Sequence, residues 1–87
     1  MAYRLELVSS ARKEFLALPA DVRKRIDTHL MLLPENPRPR GGKGLKGHKG
    51  LWRIRVGNYR VVYEIDDEAR VLTVTRVRLR ATAYRDL

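Results

Sequence analysis

Cysteine is absent from the 87-residue sequence, which excludes a disulfide framework, thiolate metal clusters and a cysteine nucleophile, and fits a reducing compartment. No apolar run is longer than the four residues Leu30-Met31-Leu32-Leu33, far short of the roughly 20 that cross a bilayer. No signal-peptide layout opens the chain, so a soluble, cytoplasmic protein without a membrane partner is expected. Histidine is scarce: His29 and His48 lie far apart and the acids gather in a turn, so no metal cluster can be traced and no cofactor is expected. Length limits the rest. Eighty-seven residues allow one small domain, spanning 1–87, which hides only about 60% of the surface its unfolded form exposes.

What is present is positive charge. Fourteen Arg and five Lys face ten acids, a net +9. Residues 1–35 are nearly balanced, with six basic and five acidic side chains, whereas the stretch from Arg38 to Arg60 holds eight basic residues and no acid. Glu64, Asp66, Asp67 and Glu68 interrupt, and five more arginines follow between Arg70 and Arg85. A field this concentrated favours a polyanionic partner. The nearly threefold preference for Arg over Lys points to phosphate, because the planar guanidinium matches phosphate oxygens in bidentate fashion.

Periodicity outlines the fold. Tyr3, Leu5 and Leu7 alternate with Arg4 and Glu6, predicting a first strand over 3–8. Ser9-Ser10 is expected to cap a helix carrying Ala11, Phe15 and Leu18, which Pro19 interrupts. Val22, Ile26, Leu30 and Leu33 form the apolar stripe of a second helix, which Pro34 and Pro37 end. Residues 34–50 hold three prolines, five glycines and five basic residues and are expected to be an irregular, mobile loop. Trp52, Ile54 and Val56 alternate with Arg53 and Arg55. After Gly57-Asn58, Tyr59, Val61, Tyr63 and Ile65 alternate with Arg60, Val62 and Glu64. A two-residue turn at Gly57-Asn58 fixes the register as 56 with 59, 55 with 60, 54 with 61, 53 with 62 and 52 with 63. A last strand over about 70–77 completes a β-α-α-β-β-β plan, an α+β class with a helical hairpin on one face of a small, largely antiparallel sheet.

That register carries a functional implication. Trp52, Ile54, Val56, Tyr59, Val61 and Tyr63 take the helix-covered face, leaving Arg53, Arg55 and Arg60 on the other. Arg55 and Arg60 are directly opposed, and like charges opposite each other destabilise a sheet. A phosphate between them turns repulsion into attraction. The bland alternative is that three arginines solvate an open sheet face. Against it stands the basic material on either side, the loop before the hairpin and Arg76, Arg78, Arg80 and Arg85 after it.

The segments Leu45-Lys46-Gly47, Leu51 through Asp66, with its tract RVGNYRVVYEID, and Val77 through Arg80 to Tyr84-Arg85 resemble the RelE/ParE superfamily of bacterial and archaeal toxins. The first strand and the helical hairpin with Leu18-Pro19 fit the same plan, so the resemblance covers essentially the whole chain. It implies a toxin of a type II toxin–antitoxin pair. RelE-type members are ribosome-dependent mRNA endonucleases, whereas ParE-type members inhibit DNA gyrase on the same fold. Carried over by position, the RelE-type catalytic residues fall on Arg53, Arg55, Arg60, Arg80 and Tyr84. Of the basic residues around them, Lys43, Lys46, Lys49, Arg78 and Arg85 are expected to bind RNA. The chain departs from the pattern in having arginines where the best-known nuclease has lysines, and Arg78-Leu79 where many relatives have Gly-His. The implied partners are a RelB-like antitoxin, the ribosome and mRNA. The toxin alone is expected to be monomeric and to form a hetero-oligomer with the antitoxin.

Metal-independent RNA cleavage needs an activated 2′-hydroxyl, stabilised phosphorane charge and a protonated 5′-oxygen. Arg55 and Arg60 would hold the scissile phosphate, Arg53 a neighbouring one, Arg80 the leaving group and Tyr84 a base. The products would be a 2′,3′-cyclic phosphate and a 5′-hydroxyl. Guanidinium groups, with pKa above about 12, make poor proton acceptors, so either catalysis rests chiefly on positioning and charge stabilisation, or a ribosomal or substrate group, Tyr84 or His48 takes the proton. A gyrase inhibitor and a non-catalytic nucleic-acid-binding module are the competing readings.

Overall fold

The computed structural model describes residues 2–84. In chain order these form β1 (Arg4–Leu7), α1 (Ser9–Leu16), α2 (Ala20–Leu32), β2 (Lys43–Gly44), β3 (Leu51–Val56), β4 (Tyr59–Asp66) and β5 (Val71–Leu79). The sheet order is β1-β5-β4-β3-β2, antiparallel except where β1 runs parallel to β5. The helical hairpin covers one face, with α1 against β5 and α2 against β3.

The helices follow from their sequences with one correction. Ile26 and Leu30 of α2 and Leu33, its C-cap, are buried at i, i+4 and i+7, and Val22 packs half-buried against the same core. Pro19 occupies the N-cap of α2, ending the turn after α1. Ser9-Ser10 does not cap α1: the helix already includes Ser9, and the N-cap is Val8, which has no capping side chain. Its amide instead donates to the Val74 carbonyl at 3.0 Å, extending the β1–β5 ladder right up to the helix.

The hairpin pairs in the expected register throughout, from Val56↔Tyr59 to Trp52↔Tyr63. Of the two turn residues only Gly57 has positive φ, at 60°, the pattern of a type II′ turn. Ile54, Val56, Val61, Tyr63 and Ile65 join Leu72, Val74 and Val77 of β5 and Ala11, Ile26, Leu30 and Leu33 of the helices in one core.

Residues 34–50 are more regular than the loop that their composition predicts. They contain β2, which pairs Lys43 with Arg53 and Gly44 with Trp52, and they are tied to the sheet at several points. The Tyr63 hydroxyl donates to the Pro37 carbonyl at 2.5 Å, and Leu45 and Ile65 amides donate to the Leu51 and Gly50 carbonyls. The Gly42 backbone approaches the Trp52 indole so closely that a Cβ there would overlap Nε1. Glycine serves close packing at Gly42 and positive φ at Gly41, Gly47 and Gly50.

A further tie is ionic. Arg38 donates to both Asp67 oxygens, at 3.2 and 2.8 Å, and the Tyr3 hydroxyl donates to the same carboxylate at 2.5 Å. These bonds, Arg38 first and Tyr3 second, hold the Asp67 carboxyl down at about 2. A depressed carboxyl contributes stability above its ordinary value near 4, and that contribution is lost as pH falls toward 2. In a carboxyl-detected NMR titration the Asp67 midpoint is expected at about 2, and Arg38→Gln is expected to move it back toward the ordinary range. An Asp67 midpoint unchanged by that substitution would show that the guanidinium is not its main partner.

Candidate nucleic-acid interface

Directly paired residues in an antiparallel sheet share a face, so the register lays out the surface opposite the helices. One row reads Lys43, Arg53, Val62, Arg76 across β2 to β5, and the next reads Arg55, Arg60, Arg78 across β3 to β5. The second row depends on an irregularity. Leu72 and Val74 of β5 point into the core, and strict alternation would send Arg76 and Arg78 the same way. A register shift after Val62/Tyr63 makes Thr75 the extra residue, its hydroxyl donating to the Val62 carbonyl at 3.2 Å. Beyond it Val77 returns to the core, and Arg76 and Arg78 turn onto the basic face.

Burial separates the arginines. Arg55 is exposed, whereas Arg53 and Arg60 are each only 5% exposed. Guanidinium groups carry five N–H donors, yet each of these makes one long bond to a backbone carbonyl, Arg53 to Gly41 and Arg60 to Tyr59, both at 3.3 Å. Neither has a carboxylate partner among the described residues. Burying an uncompensated cation costs several kcal/mol, which folding alone gives no reason to retain. An anion lodged between the strands would supply the missing acceptors.

Residues 80–84 follow β5 beside this face. The Arg80 amide donates to the Asn58 carbonyl at 2.8 Å, setting Arg80, itself exposed, beside the hairpin turn at the end of the arginine row. The chain then turns back, and an Arg76 guanidinium nitrogen donates to the Ala83 carbonyl at 3.2 Å. Ala83 and Val62 are both fully buried yet lie outside the main core. Tyr84, 41% exposed, follows and lines one groove with Leu45, Lys46 and His48.

The structure therefore assembles Lys43, Arg53, Arg55 and Arg60 on one face and places Arg80 at its end, with Lys46 and Tyr84 in the adjoining groove. Lys49 lines a different groove, with Arg38 and Trp52. Arg78 is in the row but is engaged by Glu14 of α1. Arg85 lies outside the described residues. Glu14 is the residue that sequence reasoning missed: nothing in its spacing marks it, because its partner is 64 positions away and reaches it only through the shift in β5.

The comparisons agree with this fold. The family profile described as the ParE toxin of the type II toxin–antitoxin system parDE matches residues 5–84. The mRNA interferase toxin RelE of Escherichia coli is 34% identical over 88 residues, spanning 97% of this chain and 92% of that protein. Among solved structures, the archaeal RelE–RelB complex from Pyrococcus horikoshii superposes with a TM-score of 0.82 at 27% identity, covering 95% of this chain and 100% of the other. The intact E. coli RelBE toxin–antitoxin complex gives 0.80 at 32% identity, covering 90% of this chain and 96% of the other. With the profile spanning nearly the whole sequence and the helical hairpin, five-stranded sheet and basic face in place, this chain belongs to the RelE/ParE superfamily of type II toxin–antitoxin toxins.

Proposed function

We propose that this protein is the toxin of a type II toxin–antitoxin system and acts as an mRNA endonuclease on the translating ribosome. The observation that carries the reading is the pair of buried arginines with no carboxylate partner among the described residues, Arg53 and Arg60, flanking exposed Arg55. A phosphodiester held by Arg55 and Arg60 lies across β3 and β4, with Arg53 on the neighbouring phosphate and Arg80 at the hairpin end, where the leaving oxygen develops charge. The RNA 2′-oxygen attacks phosphorus, the bond from phosphorus to the 5′-oxygen breaks, and the proton lost from the 2′-hydroxyl is matched by one gained at the 5′-oxygen. The products are a 2′,3′-cyclic phosphate and a 5′-hydroxyl. The arginines contribute charge and position rather than proton transfer, and Tyr84 stacks on a base.

Two relatives were solved bound to RelB antitoxins, which supports a RelB-like partner here. An acidic or helical antitoxin segment over the basic face binds through charge, so its Kd is expected to rise at least tenfold between about 0.1 and 0.5 M salt. Isothermal titration calorimetry across that range checks this; a salt-independent Kd mapping only to the outer helices would contradict it. For the activity, primer extension on mRNA translated in a cell-free system is expected to show codon-phased cuts. Intact mRNA together with trapped gyrase–DNA complexes would overturn the nuclease reading.

A further inference from the structure

The row Arg55, Arg60, Arg78 sets three cations on three adjacent strands, which stand about 4.8 Å apart. Among the described residues only the third has an acid. Glu14 accepts from Arg78 Nε at 2.5 Å through one oxygen and from the Val77 amide at 3.0 Å through the other. The second bond fixes the carboxylate in place. β1 pairs with β5 only over Val71–Val74, so the Val77 amide sits on an edge with no strand beside it, and Glu14 fills that vacancy. Ala11, fully buried one turn earlier on α1, turns this side of the helix toward the sheet. The Arg78 and Glu14 side chains are 31% and 25% exposed, against 73% and 48% for the surface pair Arg4–Glu6, so solvent screens their attraction less.

We infer that Glu14 is a positioning residue, which withholds Arg78 from RNA and so confines the phosphate to Arg55 and Arg60. The inference rests on the nuclease reading of the same face. With Arg78 free, a phosphodiester fits equally between Arg60 and Arg78, one strand away from Arg55 and Arg53. RNA bound there is held but not cut, because in-line attack tolerates misplacement of only about 1 Å. Glu14 thereby selects one register from two that the arginine row offers.

Glu14→Gln is expected to steepen the salt dependence of binding to a fluorescent single-stranded RNA, its log–log slope growing by about 0.7, the increment for one added phosphate contact. In single-turnover cleavage on programmed ribosomes, with toxin in excess, the maximal rate and the half-saturating toxin concentration are both expected to fall at least twofold while their ratio holds. That is the signature of unproductive binding, which a merely structural defect does not produce. Adding Arg78→Gln is expected to restore the wild-type slope. Glu35→Gln, which adds the same charge far from Arg78, is expected to leave the slope unchanged. Should Glu14→Gln fail to fold by circular dichroism, Arg78→Gln alone decides: unchanged RNA binding supports the inference, and a shallower slope overturns it by showing that Arg78 already contacts RNA. An unchanged slope in folded Glu14→Gln also overturns it. Absence of cleavage by the wild-type protein would refute the nuclease reading, while the binding slopes still decide the role of Glu14.

Discussion

Arg60→Ala is expected to lower mRNA cleavage about 100- to 1,000-fold, the usual loss when one preorganised charge is removed from a transition state, without unfolding the protein. Arg60 is 5% exposed, pairs with Arg55 on one side and Arg78 on the other, and among the described residues its side chain makes one bond, to its neighbour's carbonyl. An enclosed cation in that setting is held for its charge rather than for its bonding. Stability offers an independent check. Arg60→Met keeps the volume of the aliphatic stem and removes the charge, and such replacements at buried ionic sites are often neutral or stabilising by about 1–4 kcal/mol. A urea midpoint that rises or holds while cleavage disappears is therefore the expected pair of results. If Arg60→Met instead loses about 3–5 kcal/mol, the guanidinium is a paired structural element, and the case for an anion at this position fails.

The hairpin illustrates what one sequence can reveal. Its register rests on two local facts, period-two alternation and a two-residue turn, and a slip of one residue would expose Tyr63 and Val61 and bury Glu64, so a single solution survives. The opposition of Arg55 and Arg60 follows from that alone. The rest of the face was not legible because it depends on distant chain. The Gly41–Gly44 segment is laid beside β3, where the Gly41 carbonyl accepts from Arg53, and residues 80–83 turn back until the Ala83 carbonyl accepts from Arg76. Strand β2 is two residues long and glycine-bearing, too short to show periodicity. Parallel pairing of β1 with β5 joins residues 67 positions apart, as in Arg4↔Val71, with no local signal at either end. The register shift at Thr75 hides within a run of alternating residues that reads equally well without it, and it alone decides that Arg78 lies within reach of Glu14 and beside Arg60.

Tyr63→Ala is expected to destabilise the protein by about 3–5 kcal/mol, a large share of the roughly 5–15 kcal/mol typical of whole domains and enough to leave so small a chain marginal. Tyr63 is the largest of the fully buried side chains, set between Trp52 of β3 and Val74 of β5. Its hydroxyl donates to the Pro37 carbonyl, and burial pushes its pKa above the ordinary value, so it stays a neutral donor across the working range. Tyr63→Phe separates the two roles. It keeps the ring and leaves the Pro37 carbonyl without its donor, a loss of about 1–3 kcal/mol. The local effect reaches the basic face, because Pro37 begins the segment that carries Gly41 and Lys43 to Arg53. Amide exchange at Gly42 and Leu45, whose N–H groups bond to the Pro39 and Leu51 carbonyls, is expected to quicken in Tyr63→Phe more than exchange in β4 and β5. Uniform quickening would mean that the hydroxyl supports the whole fold alike, whereas selective quickening ties a core tyrosine to the segment that encloses Arg53.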